Sequence, residues 1–111
     1  QPEWLSDEAL AYYVASYKHS GFAGGINYYR NLDHNWQLMQ PYQHSKVHCP
    51  VLFLAGSEDI ATQRATHEQL QELMAERVPD LTIEVYPGLG HWLQSEATEQ
   101  VNEALLTFLQ R

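Results

Sequence analysis

Apolar residues recur at helical spacing through the first part of the chain. Ser6 is suited to cap a helix, and acidic residues follow it in the expected first turn. One apolar stripe then follows at intervals of three and four residues: Leu10, Tyr13, Val14 and Tyr17. The glycine-rich segment HSGFAGG predicts a helix end and a turn. A second helix is predicted from about 25 to 37, and MQPYQHSKVH (39–48) is predicted to be an extended connection.

The pattern changes near residue 46, after which predicted strands and helices alternate. PVLFLAG (50–56) is continuously apolar, as in a strand covered on both faces, and LTIEVY (81–86) alternates as in a half-exposed strand. Helices are predicted at about 63–77 and 95–110. Their expected inward residues are Leu70, Leu73, Met74 and Val78 in the first, and Val101, Ala104, Leu105, Phe108 and Leu109 in the second. The order β-α-β-α with short connections predicts parallel strands.

Two strands leave an unpaired edge and an uncovered apolar face. We therefore expect an α/β fold in which this chain supplies the last part of a larger doubly wound sheet, and expect the rest of that sheet to lie outside the chain. The predicted domains are a helical region over 1–40 and the sheet region over 41–111.

Composition narrows the classes of partner. The net charge of −8 disfavours nucleic acids and anionic membranes, because no phosphate-neutralising patch is present. No apolar run approaches the roughly 20 residues that span a bilayer, and the N-terminus lacks the pattern of a signal peptide. The single Cys49 excludes an internal disulfide and favours a reducing, cytoplasmic location. Since it precedes an apolar strand, Cys49 is predicted to be a packing residue.

Candidate chemistry lies after the two predicted strands. Asp59 follows the first strand, and His91 follows the second on the turn PGLGHW. Because parallel neighbours bring their carboxyl ends together, Asp59 could accept a hydrogen bond from one ring nitrogen of His91 and leave the other as a base. Glu58 is a competing carboxylate. The other histidines show no ligand-like pairing, so no metal site is predicted.

Three segments carry a family resemblance. LAGSEDIAT (54–62) and YPGLGHWLQSEATEQVNEALLTFL (86–109) resemble the C-terminal end of α/β-hydrolase enzymes, in which an acid and then a histidine follow late strands. SGFAGGINYYRNLDHNW (20–36) resembles the end of the helical cap, or lid, of soluble epoxide hydrolases.

The resemblance implies roles for particular residues. Asp59 corresponds to the triad acid, His91 to the base and Tyr29 to one of two cap tyrosines that hold the epoxide oxygen. Tyr28 and Trp92 are expected to be packing or pocket-wall residues rather than participants in the chemistry. A phenol suits the cap role, because it stays protonated at neutral pH and can donate to an oxygen that gathers negative charge. The implied activity converts an epoxide, a small-molecule substrate, into a diol without a cofactor or metal.

The chain does not contain every group that this activity needs. No G-x-[SD]-x-G nucleophile elbow and no HGxP-like oxyanion loop occur in it. We expect both in a remaining N-terminal part, on the same or a second chain, and expect the isolated chain to be inactive. A related dehalogenase or esterase and a non-catalytic binding module stay open as alternatives, as does a homodimer.

Overall fold

A computed structural model describes residues 2–111. The chain forms two compact units, Gln1–His44 and Ser45–Arg111. The predicted domain boundary lies at 40/41, four residues earlier. No helix among the described residues is long and apolar enough to cross a membrane.

The first unit begins with helix α1 (Asp7–Ser20), whose ends follow the sequence prediction. The Ser6 hydroxyl accepts a hydrogen bond from the Ala9 amide at 3.1 Å. Gly21 ends the helix with φ +66°, a conformation that glycine adopts at little cost, and its N–H donates to the Tyr17 carbonyl.

The predicted second helix is two helices, α2 (Ala23–Arg30) and α3 (Leu32–Met39). The Asn31 side chain donates to the Asn27 carbonyl at 2.8 Å, while the Asn31 backbone amide donates to Tyr28 instead. Because the Asn31 side chain takes a backbone carbonyl as its partner, it interrupts the helix at this point. The spacing of the apolar residues does not change there, so the sequence pattern does not reveal the interruption. The prediction of an extended connection was also wrong at its start, where a 3₁₀ helix spans Gln40–Tyr42.

The apolar stripe of α1 is present but stays partly exposed. Its four residues are between 38% and 52% exposed. No residue of α1, α2 or α3 is buried. Tyr17 stacks on Phe22 with ring centroids 4.7 Å apart. These described helices therefore present apolar surface rather than enclosing a core of their own.

The second unit contains a two-stranded parallel sheet of β1 (Val51–Gly56) and β2 (Leu81–Tyr86). The register pairs Val51 with Leu81 and Gly56 with Tyr86, so both strands end at the same level. Helix α4 (His67–Met74) connects them, and α5 (Leu93–Glu96) and α6 (Thr98–Leu109) follow. The sheet thus brings the loops after β1 and β2 to one edge.

Both core helices differ from their predicted lengths for local reasons. Helix α4 begins at His67 rather than near 63, because Thr66 forms a capping box with Gln69. Gln63 and Arg64 both have positive φ and cannot belong to a right-handed helix. The predicted last helix is broken at Ala97, which has φ −145° and ψ 53°.

The core of the second unit centres on Ala55, Leu70 and Ile83. Val78, Val101 and Ala104 are buried as predicted. The predicted burial of several other helix residues was wrong, since these are exposed: Leu73, Leu105 and Leu109. These residues stay exposed because a sheet of two strands about 4.8 Å apart is narrower than the apolar faces of the helices and cannot cover them completely.

The first strand and Cys49 are less buried than the sequence suggested. Val51, Leu52, Phe53 and Leu54 are half-buried, and only the last two residues of β1 are buried. Cys49 is exposed, so its prediction as a packing residue was wrong. It precedes β1, and burial increases only at the end of that strand.

Candidate active site

The loops that follow β1 and β2 are tied together through their backbones. The Ser57 amide donates to Tyr86 at 3.0 Å, and the Glu58 amide donates to Leu89 at 2.9 Å. In return, the Gly88 amide donates to the Ser57 hydroxyl at 2.8 Å. These bonds fix the histidine loop against the acid loop.

Gly56 makes this close approach sterically feasible. A Cβ atom at this position would overlap the carbonyl oxygens of Leu89 and Gly90. Both oxygens belong to backbone, which cannot rotate away as a flexible side chain can. The glycine at the end of β1 is therefore a requirement of the loop arrangement.

We predict that Gly56→Ala lowers the free energy of unfolding by about 3 kcal/mol, the upper end of the usual cost of overpacking, because backbone must move. Chemical denaturation measures this change. The matched control is Gly24→Ala in α2, where an added Cβ meets nothing within 4 Å. That helical substitution should stabilise by about 0.5–1 kcal/mol. Equal effects of the two substitutions would refute the steric argument.

The structure brings Asp59 and His91 into contact at the carboxyl ends of the strands. His91 Nδ1 lies 3.1 Å from both Oδ1 and Oδ2 of Asp59. The Ala61 amide donates to Asp59 Oδ1 at 2.7 Å. An ionised carboxylate only accepts hydrogen bonds, so Nδ1 carries the proton of the neutral ring and Nε2 carries a lone pair.

The two partners differ in exposure. Asp59 is 7% exposed, whereas the His91 side chain is 54% exposed. The acid is thus enclosed by its own loop, and the imidazole extends outward from it. This geometry is suited to a general base, because one ring nitrogen is held by the acid and the side chain is half exposed to solvent.

Opposing influences act on the pKa of Asp59. Burial raises it, but the hydrogen bond from His91, the Ala61 amide and the charge of His91 outweigh burial and hold the pKa below its ordinary value of 3.8. A lowered pKa means that the native state favours the ionised carboxylate. Asp59 therefore stays a pure acceptor throughout the neutral range.

This lowered pKa predicts a defined pH dependence of stability. The carboxylate of Asp59 stabilises the fold fully above its unfolded pKa of about 3.9, and this stabilisation is lost as pH falls through the lower folded pKa. The difference in unfolding free energy between the protein and Asp59→Asn should thus shrink as the pH falls below about 4. Denaturation at each pH tests this. A difference that grows in acid would contradict the sign.

The remaining predicted residues are distributed over both units. Glu58, the competing carboxylate, faces Arg64 at 3.4 Å. Trp92 is 55% exposed and meets the His91 ring edge-on at 5.3 Å. Tyr29 belongs to α2 in the first unit, where it is 70% exposed and lies edge-on to Tyr28 at 5.9 Å. Their functional roles stay predictions.

One polar residue near His91 was missed in the sequence. The carboxylate of Glu96 accepts hydrogen bonds from the amides of Gly90 and Trp92. The available signal was a glutamate placed four residues after the N-cap Trp92, from where its side chain can turn back to the amides at the start of the helix. The sequence predicted one helix from about 95 to 110. The break at Ala97 was not expected, so the position of Glu96 at the end of a short helix was missed.

Comparison with known proteins adds the family to this geometry. The model of the dienelactone hydrolase family matches residues 8–110. The chain belongs to the dienelactone hydrolase family. This member is 35% identical over 108 residues to epoxide hydrolase A of Mycobacterium tuberculosis, covering 97% of the chain and 33% of that protein. Epoxide hydrolase B of the same organism is 32% identical over 109 residues, with 97% and 30% covered.

Solved structures agree with the fold of this dienelactone hydrolase family member. A mutant epoxide hydrolase from Vigna radiata superposes with a TM-score of 0.87 at 33% identity, covering 99% of this chain and 36% of that one. Potato (Solanum tuberosum) epoxide hydrolase I gives a TM-score of 0.87 at 29% identity, with 97% and 35% covered.

These comparisons confirm the resemblance to epoxide hydrolases and the predicted fold class. The chain forms the C-terminal portion of an α/β-hydrolase fold. It spans about a third of the length of the curated relatives that it matches.

Proposed function

We propose that this chain is part of an epoxide hydrolase that converts an epoxide into a vicinal diol through an alkyl-enzyme ester. The observation that carries the proposal is the contact of His91 Nδ1 with the enclosed Asp59 carboxylate at 3.1 Å. It occurs in a chain whose relatives are named epoxide hydrolases. The first unit is proposed to belong to the helical cap.

In the first step, a carboxylate from the remaining N-terminal part attacks one epoxide carbon. The ester C–O bond forms as the C–O bond of the ring breaks, and the released oxygen takes a proton from Tyr29. A proton donor directed at the oxygen stabilises the charge that develops there. Tyr28 and Trp92 are proposed to form part of the pocket wall.

In the second step, Nε2 of His91 takes a proton from water, and the hydroxide attacks the ester carbonyl carbon. The acyl C–O bond of the ester then breaks, and the departing alkoxide takes the proton of the newly formed carboxyl group, so the diol leaves with an oxygen that came from the carboxylate. Solvent then takes the proton from His91 and returns one to the Tyr29 phenolate, so both groups regain their starting states. Asp59 stabilises the imidazolium that exists between these transfers. The sequence of steps calls for no cofactor.

Ester hydrolysis is the second candidate function, favoured by the match to a family named for dienelactone hydrolase. We call the protein that contains this chain together with the rest of the fold the full-length protein. It should be assayed with styrene oxide, a haloalkane and an aryl ester. We expect the highest kcat/KM for the epoxide. The isolated 111-residue chain is the negative control and should give no diol, since it lacks the nucleophile elbow. A higher kcat/KM for the ester or the haloalkane would reject the epoxide assignment.

A further inference from the structure

The Glu96 carboxylate contacts the backbone on both sides of His91. Its Oε2 accepts the Gly90 N–H at 2.7 Å, and its Oε1 accepts the Trp92 N–H at 2.9 Å. Glu96 is the last residue of α5 and is half-buried. One side chain thus binds the amide before and the amide after the residue that bears the imidazole.

The peptide group between Leu89 and Gly90 is held from two directions. Its carbonyl accepts the Glu58 N–H at 2.9 Å, and its N–H donates to Glu96. Glu58 directly precedes Asp59, so the same planar group joins the acid loop to the Glu96 carboxylate. Hydrogen bonds in such a chain polarise and strengthen one another.

The hydrogen bond from the Trp92 N–H to Glu96 is made by the residue directly after His91. The Trp92 N–H belongs to the peptide group that follows the His91 Cα atom, so the bond from Glu96 restrains ψ of His91. Together the two bonds limit the directions in which the Cα–Cβ bond of His91 can point. The contact between Nδ1 and Asp59 depends on that direction.

Helix capping alone does not explain this arrangement. Trp92 is the N-cap of α5, so the bond to its amide has a capping role. Gly90 lies outside the helix, and its amide needs no helical partner. The carboxylate also lies directly beside Gly90, since a Cβ on Gly90 would be 3.1 Å from Glu96 Oε1 and 3.3 Å from Oε2.

We propose that Glu96 is a positioning residue for His91, which sets the direction of the imidazole for ester hydrolysis. The proposal rests on the proposed function of His91 as the base. A carboxylate is suited to the task because it accepts two charge-assisted hydrogen bonds. Each amide bonds a different oxygen of Glu96, and a glutamine replaces one of these oxygens by an NH₂ group that donates, so in this arrangement it satisfies only one of the two amides.

The test uses the full-length protein labelled with ¹⁵N-histidine, as wild type, Glu96→Gln and Glu99→Gln. Glu99 is an exposed glutamate in the first turn of α6 and serves as the matched control. We expect Glu96→Gln to shift or broaden the His91 ring NMR resonances and Glu99→Gln to leave them unchanged. This readout needs no epoxide, so it judges the proposal even where epoxide turnover is absent.

Single-turnover kinetics supply the second readout. We expect Glu96→Gln to slow ester hydrolysis by about 10–10²-fold, the scale of a sub-ångström to ångström misplacement. Alkylation should keep the wild-type rate, because it does not use His91. Unchanged His91 resonances in Glu96→Gln would overturn the proposal, and so would ester hydrolysis at the wild-type rate.

Gly90→Ala is a second variant, in which the added Cβ would lie 3.1 Å from Glu96 Oε1 and 3.3 Å from Oε2, so the carboxylate must shift by about a few tenths of an ångström without being removed. It decides the question in the same way where Glu96→Gln does not fold. Altered His91 resonances and slow ester hydrolysis in Gly90→Ala support positioning by Glu96, and wild-type values for either measurement overturn it.

Discussion

The full-length protein with His91→Gln is expected to consume about one equivalent of epoxide and then nearly stop. Attack on the epoxide does not use the base, so the ester should form at close to the normal rate. Hydrolysis requires Nε2 to take a proton from water, and a positioned general base contributes about 10²–10⁴-fold. The protein should therefore accumulate as the ester, with a mass increased by that of the epoxide.

Intact-protein mass spectrometry and a stopped-flow burst measure this result. The matched control is His67→Gln, because His67 is an exposed histidine at the start of α4 and forms no hydrogen bond or ion pair with Asp59 among the described residues. That variant should turn over like the wild type. Steady turnover by His91→Gln within about tenfold of the wild type would reject His91 as the base, since the loss would lie below the usual contribution.

Tyr29→Phe is expected to slow alkylation and to leave ester hydrolysis unchanged. The substitution removes one proton donor and keeps the ring, so packing is preserved. Negative charge develops on the epoxide oxygen during ring opening, and removal of one such donor costs about 3–4 kcal/mol, or 10²–10³ in rate. A second cap tyrosine would reduce the loss to about tenfold by the same argument.

Single-turnover kinetics separate the two steps, and the neighbouring tyrosine offers a control. Tyr28 lies edge-on to Tyr29 in the same helix with similar exposure. Tyr28→Phe should leave alkylation within about twofold, since no donor role is assigned to its hydroxyl. If Tyr29→Phe alkylates at the wild-type rate, Tyr29 is not a donor, and the ester or haloalkane alternatives gain support.

Features set by periodicity were predictable from the sequence. The alternation of LTIEVY predicted β2 at Leu81–Tyr86, the span that the structure has. The approach of the loops that carry Asp59 and His91 followed from parallel topology, because neighbouring parallel strands end at one edge.

Features set by single side-chain contacts with the backbone were not predictable. The side chain of Asn31 divides one predicted helix into two, and the Thr66 capping box delays the start of α4. The contacts of Glu96 with two amides depend on the short helix α5, whose end at Glu96 has no periodic signal. The number of buried residues in α4 and α6 was overestimated, because the spacing of apolar residues does not show which other element packs against them.

The most direct test of the central claim is a single turnover of styrene oxide by an excess of the full-length protein in H₂¹⁸O. If the ester mechanism is correct, water attacks the ester carbonyl, and the oxygen added to the substrate comes from the protein carboxylate. We predict a diol without ¹⁸O in the first turnover and a protein that has gained the label. A diol that carries ¹⁸O in the first turnover, or no diol at all, would contradict the account.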